Sequence, residues 1–128
     1  MNLKKSIEIS KRIAEVIHGK FYMTHVQAVV DGVEPRLKPI AYLHDVFEQS
    51  NVSLDVLKKF GFADYIIKAV DLLTHRRADT YLAYCEKLAD NPDALAVKLS
   101  DIAHNKKYRK LPKHDEALAL FKKLGKIS

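Results

Sequence analysis

A chain of 128 residues, nearly half of them apolar and 30% charged, closes one hydrophobic core without disulfides or a structural metal. Four glycines and four prolines are too few for the many turns of an all-β protein, and a single cysteine excludes an internal disulfide. The net charge of +6 attracts polyanions, yet no DNA- or RNA-reading motif accompanies it, so nucleic acid is not expected as a partner.

The opening MNLKKSIEIS has two lysines but no apolar run behind them, unlike a secretory signal. No stretch approaches the roughly 20 apolar residues of a membrane span. A soluble cytoplasmic protein is expected, with no membrane partner and with Cys85 as a small packed apolar residue.

Helical periodicity runs the length of the chain. Leu3, Ile7, Ala14 and Ile17 share one face of a first helix that Gly19 stops. A second helix covers Met23 to Val33, with Gly32 near its end. Pro35 and Pro39 mark a break and a restart, and the third helix carries Ile40, Leu43 and Phe47 inward. Ser53 caps a short helix through Phe60, which Gly61 ends. The next runs from Ala63 to about His75, with Ile66, Ile67, Val70 and Leu73 toward the core. Asp79 is the expected N-cap of Thr80 to Ala89. Asn91-Pro92 starts a long helix with Leu95, Leu99 and Ile102 as its core stripe, since an N-cap followed by proline at the first helical position is a favoured pairing. A last helix holds Ala117, Leu118, Phe121 and Leu124, with Gly125 near its end. Residues 1–128 are expected to form a single all-α domain.

The chemistry lies in a dispersed set of histidines and acids: His25, then His44-Asp45 side by side, then Asp101 with Asn105 one helical turn later. On a helix His44 and Asp45 sit about 100° apart, so they suit two corners of a coordination sphere. Glu48 falls one turn beyond them, and Asp101 and Asn105 share a face. His44-Asp45 interrupts the apolar stretch AYLHDVF, and Asp101 interrupts ALAVKLSDIA. Buried charge is costly unless it is paired or bound to a metal. Two imidazoles and two carboxylates suit Mn²⁺, Fe²⁺, Zn²⁺ or Mg²⁺ and leave about two open positions on a six-coordinate ion, the arrangement of a hydrolytic metal. Lys98, Arg76 and Lys106 are the basic residues placed to hold phosphate, and Arg77 is read as a surface charge. His75 and His104 have weaker claims as ligands, and His18 and His114 are assigned structural or solvent-facing roles.

The pattern H…HD…D, here His25, His44-Asp45 and Asp101, resembles the HD-domain metal-dependent phosphohydrolases over nearly the whole chain, roughly His18 to Tyr108. It is most similar to the branch that hydrolyses the alarmone ppGpp, which includes small stand-alone alarmone hydrolases. That branch reads HDxxED where this chain has HDVFEQ, and carries a KLADxxHN-like segment matched by KLSDIAHN, Lys98 to Asn105. The resemblance implies a compact helical HD-domain fold and a Mn²⁺-type ion held by His25, His44, Asp45 and Asp101. It implies hydrolysis assisted by Glu48, with Gln49 beside it in the catalytic motif, and nucleotide contact through Asn105. Gln49 stands where the family has an acid, and an amide does not accept a proton as a carboxylate does. The stretch HGKFYMTH, His18 to His25, is shorter than the family's basic segment, and Lys20 lacks the flat guanidinium that stacks on a base.

The expected function is a metal-dependent phosphohydrolase acting on a small-molecule nucleotide phosphoester or pyrophosphate, with a ppGpp-like 3′-pyrophosphate leading. The alternatives are a nucleoside monophosphate phosphatase and a catalytically weakened, nucleotide-binding regulatory module. A homo-oligomer is compatible with either.

Overall fold

The structure, a computed structural model, describes all 128 residues and contains seven α-helices and no strands. These are α1 (Leu3–Asp31), α2 (Lys38–Leu43), α3 (Asp55–Phe60), α4 (Asp64–Leu73), α5 (Tyr81–Ala89), α6 (Pro92–Tyr108) and α7 (Pro112–Lys123). A single 3₁₀ turn, Pro35–Leu37, leads into α2. None of the helices is long and apolar enough to cross a membrane.

The breaks follow local chemistry. Asn91 Oδ1 accepts from Ala94 N–H at 3.0 Å and Pro92 opens α6, as the sequence indicates. Gly61, left-handed at φ 87°, ends α3. The cap of α5 is Thr80 rather than Asp79: its hydroxyl accepts from Ala83 N–H at 3.1 Å. Asp79 instead receives the Lys87 ammonium at 3.2 Å.

Gly19 kinks α1 instead of ending it. Its φ of 76° and ψ of 174° lie in a region essentially closed to residues with a Cβ, and the helix resumes at once on a new axis. The kink sets His18 before the bend and Tyr22 and His25 after it. Open space surrounds the position a Cβ would take. Gly19→Ala is therefore expected to act through the backbone alone, at about 1–3 kcal/mol, read as a lowered midpoint of urea unfolding.

The buried face of α1 is not wholly the expected one. Ser6, Ser10 and Ala14 turn inward, while Ile7 and Ile17 are half-buried and Leu3 is exposed. The serines bury because their hydroxyls donate into their own helix, Ser6 to Asn2 O and Ser10 to Ile7 O, each at 3.0 Å.

One contiguous core joins the elements, with Val26, Val29 and Val30 of α1, Ile40 and Leu43 of α2, Ile66 and Val70 of α4, Leu88 of α5, Val97 and Ile102 of α6, and Phe121 of α7. Cys85 is fully buried within it. The second half of α1 packs on α2 and α6, while α6 also meets α4 and α5, and α7 packs on α5. Where α1 ends, Gly32 lies so close to α6 that an added Cβ would collide with Ser100 Oγ, which itself donates to Val29 O at 2.8 Å. α6 is thus central, and its inward face carries two charged residues, Lys98 and Asp101, among the apolar ones.

Candidate metal centre

Three segments far apart in sequence meet here. His25 comes from the second half of α1, His44 from the residue after α2, and Asp101 from the middle of α6. One ligand atom of each lies within 4.8 Å of the other two. His25 Nε2 is 2.9 Å from Asp101 Oδ1, and His44 Nε2 is 3.7 Å from the same oxygen.

The chain does not continue as helix through His44 to Glu48, as the spacing suggested. α2 ends at Leu43, and tight turns follow, with His44 N–H bonded to Ala41 O and Val46 N–H to Leu43 O. His44 and Asp45 are therefore presented from a turn. Asp45 is not among the three mutually close ligands. Its Oδ2 lies 3.2 Å from His44 Nε2 and accepts the Tyr22 hydroxyl. It flanks the cluster and lines the adjoining cavity.

These residues fit a divalent cation. Donors about 2.1 Å from one ion stand about 3.0 Å apart at right angles and about 3.4 Å apart at tetrahedral angles, close to the separations found. His44 is 2% exposed, and its Nε2 faces carboxylate oxygens, Asp45 Oδ2 at 3.2 Å and Asp101 Oδ1 at 3.7 Å. Its Nδ1–H donates to Ala41 O at 2.6 Å, which fixes the tautomer and turns the Nε2 lone pair toward His25 and Asp101. A buried imidazole nitrogen set between two carboxylates suits a divalent cation, which takes the place of the proton they would otherwise stabilise on it.

Outer partners hold the ligands. His104 Nδ1 and His25 Nδ1 share a hydrogen bond of 2.8 Å, which leaves His25 Nε2 facing Asp101. Asn105 Nδ2 donates to Asp101 Oδ1 at 2.9 Å, and Lys98 Nζ is 3.3 Å from Asp101 Oδ2. Periodicity pointed to neither Tyr22 nor the support that His104 gives His25. The one available signal was Tyr22 preceding His25 by a single helical turn.

No protein-family model and no curated protein matches this chain.

Beside the cluster opens a cavity of about 190 Å³ lined by polar side chains, among them Asp45, Glu48, Lys98, Asp101 and Asn105. Glu48 reaches it from the turn after α2 and accepts the His75 N–H. Burial lifts the Glu48 carboxyl above its usual value, against the pull of that N–H. The cavity also takes in His75, to which the sequence gave only a weaker claim, and Tyr81, Tyr84, Lys113 and His114, which it did not single out for the site.

Three expected site residues lie elsewhere. Arg76 is exposed and pairs with Asp71, five residues back across the end of α4. Lys106 points toward α7, where its ammonium is 2.7 Å from Asp115. Gln49 does not line the cavity, and its side-chain oxygen holds His18 Nδ1 at 2.8 Å.

Charge within the cluster is strongly coupled. Burial disfavours an imidazolium at His44, but the Asp45 and Asp101 carboxylates outweigh it and raise His44 well above the usual 6.5. Burial opposes ionisation of Asp45 as well, yet His44 brings it down to about 2 from 3.8. The consequences for stability have opposite signs. The contribution of His44 to the metal-free protein is complete below about pH 6.5 and lost as pH rises through its folded value. That of Asp45 is present above about pH 3.8 and lost as pH falls toward 2. A cation requires His44 neutral and replaces its proton. Without metal, thermal stability is expected to fall as pH rises above about 6.5, and Mn²⁺ is expected to remove that fall. Thermal scans across pH with EDTA or with Mn²⁺ check this, and two parallel profiles would refute it.

Proposed function

We propose that this chain is a metal-dependent phosphohydrolase of the HD type acting on a nucleotide phosphoester or pyrophosphate. One observation carries the reading: His25, His44 and Asp101, from three distant segments, bring one ligand atom each within 4.8 Å of the others, and Asp101 also lines a polar cavity. When bound there, a divalent ion such as Mn²⁺ supplies a Lewis acid for phosphoryl oxygens and a means of ionising water at neutral pH.

The chain's own side chains do the remaining work. His104, Asn105 and Lys98 fix His25 and Asp101 in place, and Tyr22 fixes Asp45. Glu48, held by the His75 N–H, orients the attacking water and takes its proton, for which an elevated carboxyl value is suited. Lys98 offers its ammonium to the phosphoryl oxygens from inside the cavity. Attack of the water oxygen on phosphorus breaks the bond to the leaving oxygen, which departs with the proton that Glu48 took from the water.

The place of Gln49 bears on the weakened-module alternative. Its side-chain oxygen is bonded to His18 and it is not among the cavity's lining residues, so the departure from the family's acid falls beside the lining rather than in it. Release of phosphate or pyrophosphate from ppGpp, GTP and nucleoside monophosphates, assayed with Mn²⁺, tests the proposal. Turnover of at least one class that stops on adding EDTA is expected, and the class turned over names the substrate. Metal uptake without turnover of any of them would favour the regulatory module instead.

A further inference from the structure

On residues that line this cavity, two buried polar atoms stand without a hydrogen bond. One is the Tyr81 hydroxyl at the start of α5, and the other is His114 Nδ1 in the first turn of α7. His114 is 5% exposed. Both residues line the cavity, together with the ammonium-bearing Lys98 of α6 and Lys113 of α7. Lys98 Nζ lies 5.3 Å and Lys113 Nζ 5.0 Å from the centre of the Tyr81 ring.

Leaving a polar atom buried without a partner costs about 1–3 kcal/mol. Two such atoms from separate helices, facing one cavity beside two cations, call for a common partner. Burial pushes the Tyr81 phenol up to about 12, against the nearby Lys98, so at neutral pH it carries its proton and acts as a donor. His114 also serves as a donor in the tautomer protonated at Nδ1. Of these groups only Lys98 has an acid partner, Asp101 Oδ2 at 3.3 Å, and two donors beside the Lys113 ammonium describe the surroundings of an oxyanion.

We propose that Tyr81, His114, Lys98 and Lys113 form an oxyanion pocket that takes a tetrahedral phosphate group, in the cavity that Asp101 also lines. That the phosphate belongs to a substrate or product rests on the phosphohydrolase reading; the pocket itself does not. Asp45, Glu48 and Asp101 line the same cavity, and their charge is offset when a divalent cation is bound, so the anion binds best to the metal-loaded chain.

The test is calorimetric titration of the full-length, Mn²⁺-loaded protein with inorganic phosphate. Saturable binding is expected, weakened about 10-fold or more by Tyr81→Phe and by Lys113→Met. Lys106→Met, whose ammonium pairs with Asp115 outside the cavity, should leave it unchanged. Tyr81→Phe removes one oxygen and keeps the ring, so a folding defect does not obscure the result. Competition of GMP with phosphate identifies the phosphoryl group of a nucleotide as the occupant, and phosphate binding without that competition identifies free phosphate. Absence of phosphate binding, or equal affinity in the parent, Tyr81→Phe and Lys113→Met proteins, overturns the pocket. Should the chain take up no Mn²⁺, the hydrolase reading fails, and the same comparison on metal-free protein still decides the pocket.

Discussion

Asp101→Asn is expected to abolish tight metal binding while leaving the fold intact. The loss in affinity should exceed the 10- to 100-fold typical of removing an outer partner of a ligand, because the ligand itself is changed. Asp101 Oδ1 meets both histidines, at 2.9 and 3.7 Å, and Oδ2 lies 3.3 Å from the Lys98 ammonium. An amide keeps the shape and can still receive Lys98 through its oxygen, but it lacks the charge that draws a cation. Any metal-dependent turnover should fall with the metal. Asp101→Ala should go further. The side chain of Lys98 is only 10% exposed, and removing its partner leaves a buried unpaired charge at about 3–5 kcal/mol. Equilibrium dialysis with Mn²⁺ and urea unfolding separate the two effects. Normal metal affinity in Asp101→Asn would remove Asp101 from the site.

Phe121→Ala is expected to cost about 3–5 kcal/mol, a large share of the stability of a domain this size. Phe121 is 0% exposed and, with Ala117, anchors α7, which packs on α5. The same helix carries Lys113 and His114 into the cavity at its other end. Loosening the anchor should therefore weaken binding in the cavity as well as lower the unfolding midpoint. Phe121→Leu, which fills most of the volume, should recover the larger part of both. A loss below about 1 kcal/mol for the alanine variant would mean that α7 is not seated as described.

Much of the helical order was legible because punctuation and periodicity are local. Asn91-Pro92 and Gly61 are readable from the residues themselves, and Gly19 marked a break, though it was read as a stop where the helix only kinks. The inward serines of α1 were not, because a hydroxyl that bonds into its own helix hides a polarity that a pattern of apolar residues counts as exposure. The third helix was read too long. AYLHDVF keeps an apolar rhythm past Leu43, but the backbone there closes with bonds to the third residue back. Turn and helix place Val46 and Phe47 inward almost equally well, so periodicity does not separate them.

The candidate site divides along the same line. His25, His44 and Asp101 stood out as ionisable residues in helical or apolar stretches, and the fold brings them together. Asp45 lies beside them rather than among them, since a turn aims its carboxylate at Tyr22. Tyr81, Lys113 and His114 reach the cavity only through the packing of α5, α6 and α7, a relation that no spacing along the chain encodes. Lys106 and Arg76 were read from charge alone, and each finds a nearer acid, Asp115 and Asp71.

The most direct test is to locate the ion in crystals of the Mn²⁺-loaded chain by anomalous scattering. The account predicts one strong peak about 2.0–2.3 Å from His25 Nε2, His44 Nε2 and an Asp101 oxygen. A peak at other residues, or His44 Nε2 bonded to protein alone in fully loaded crystals, would contradict it.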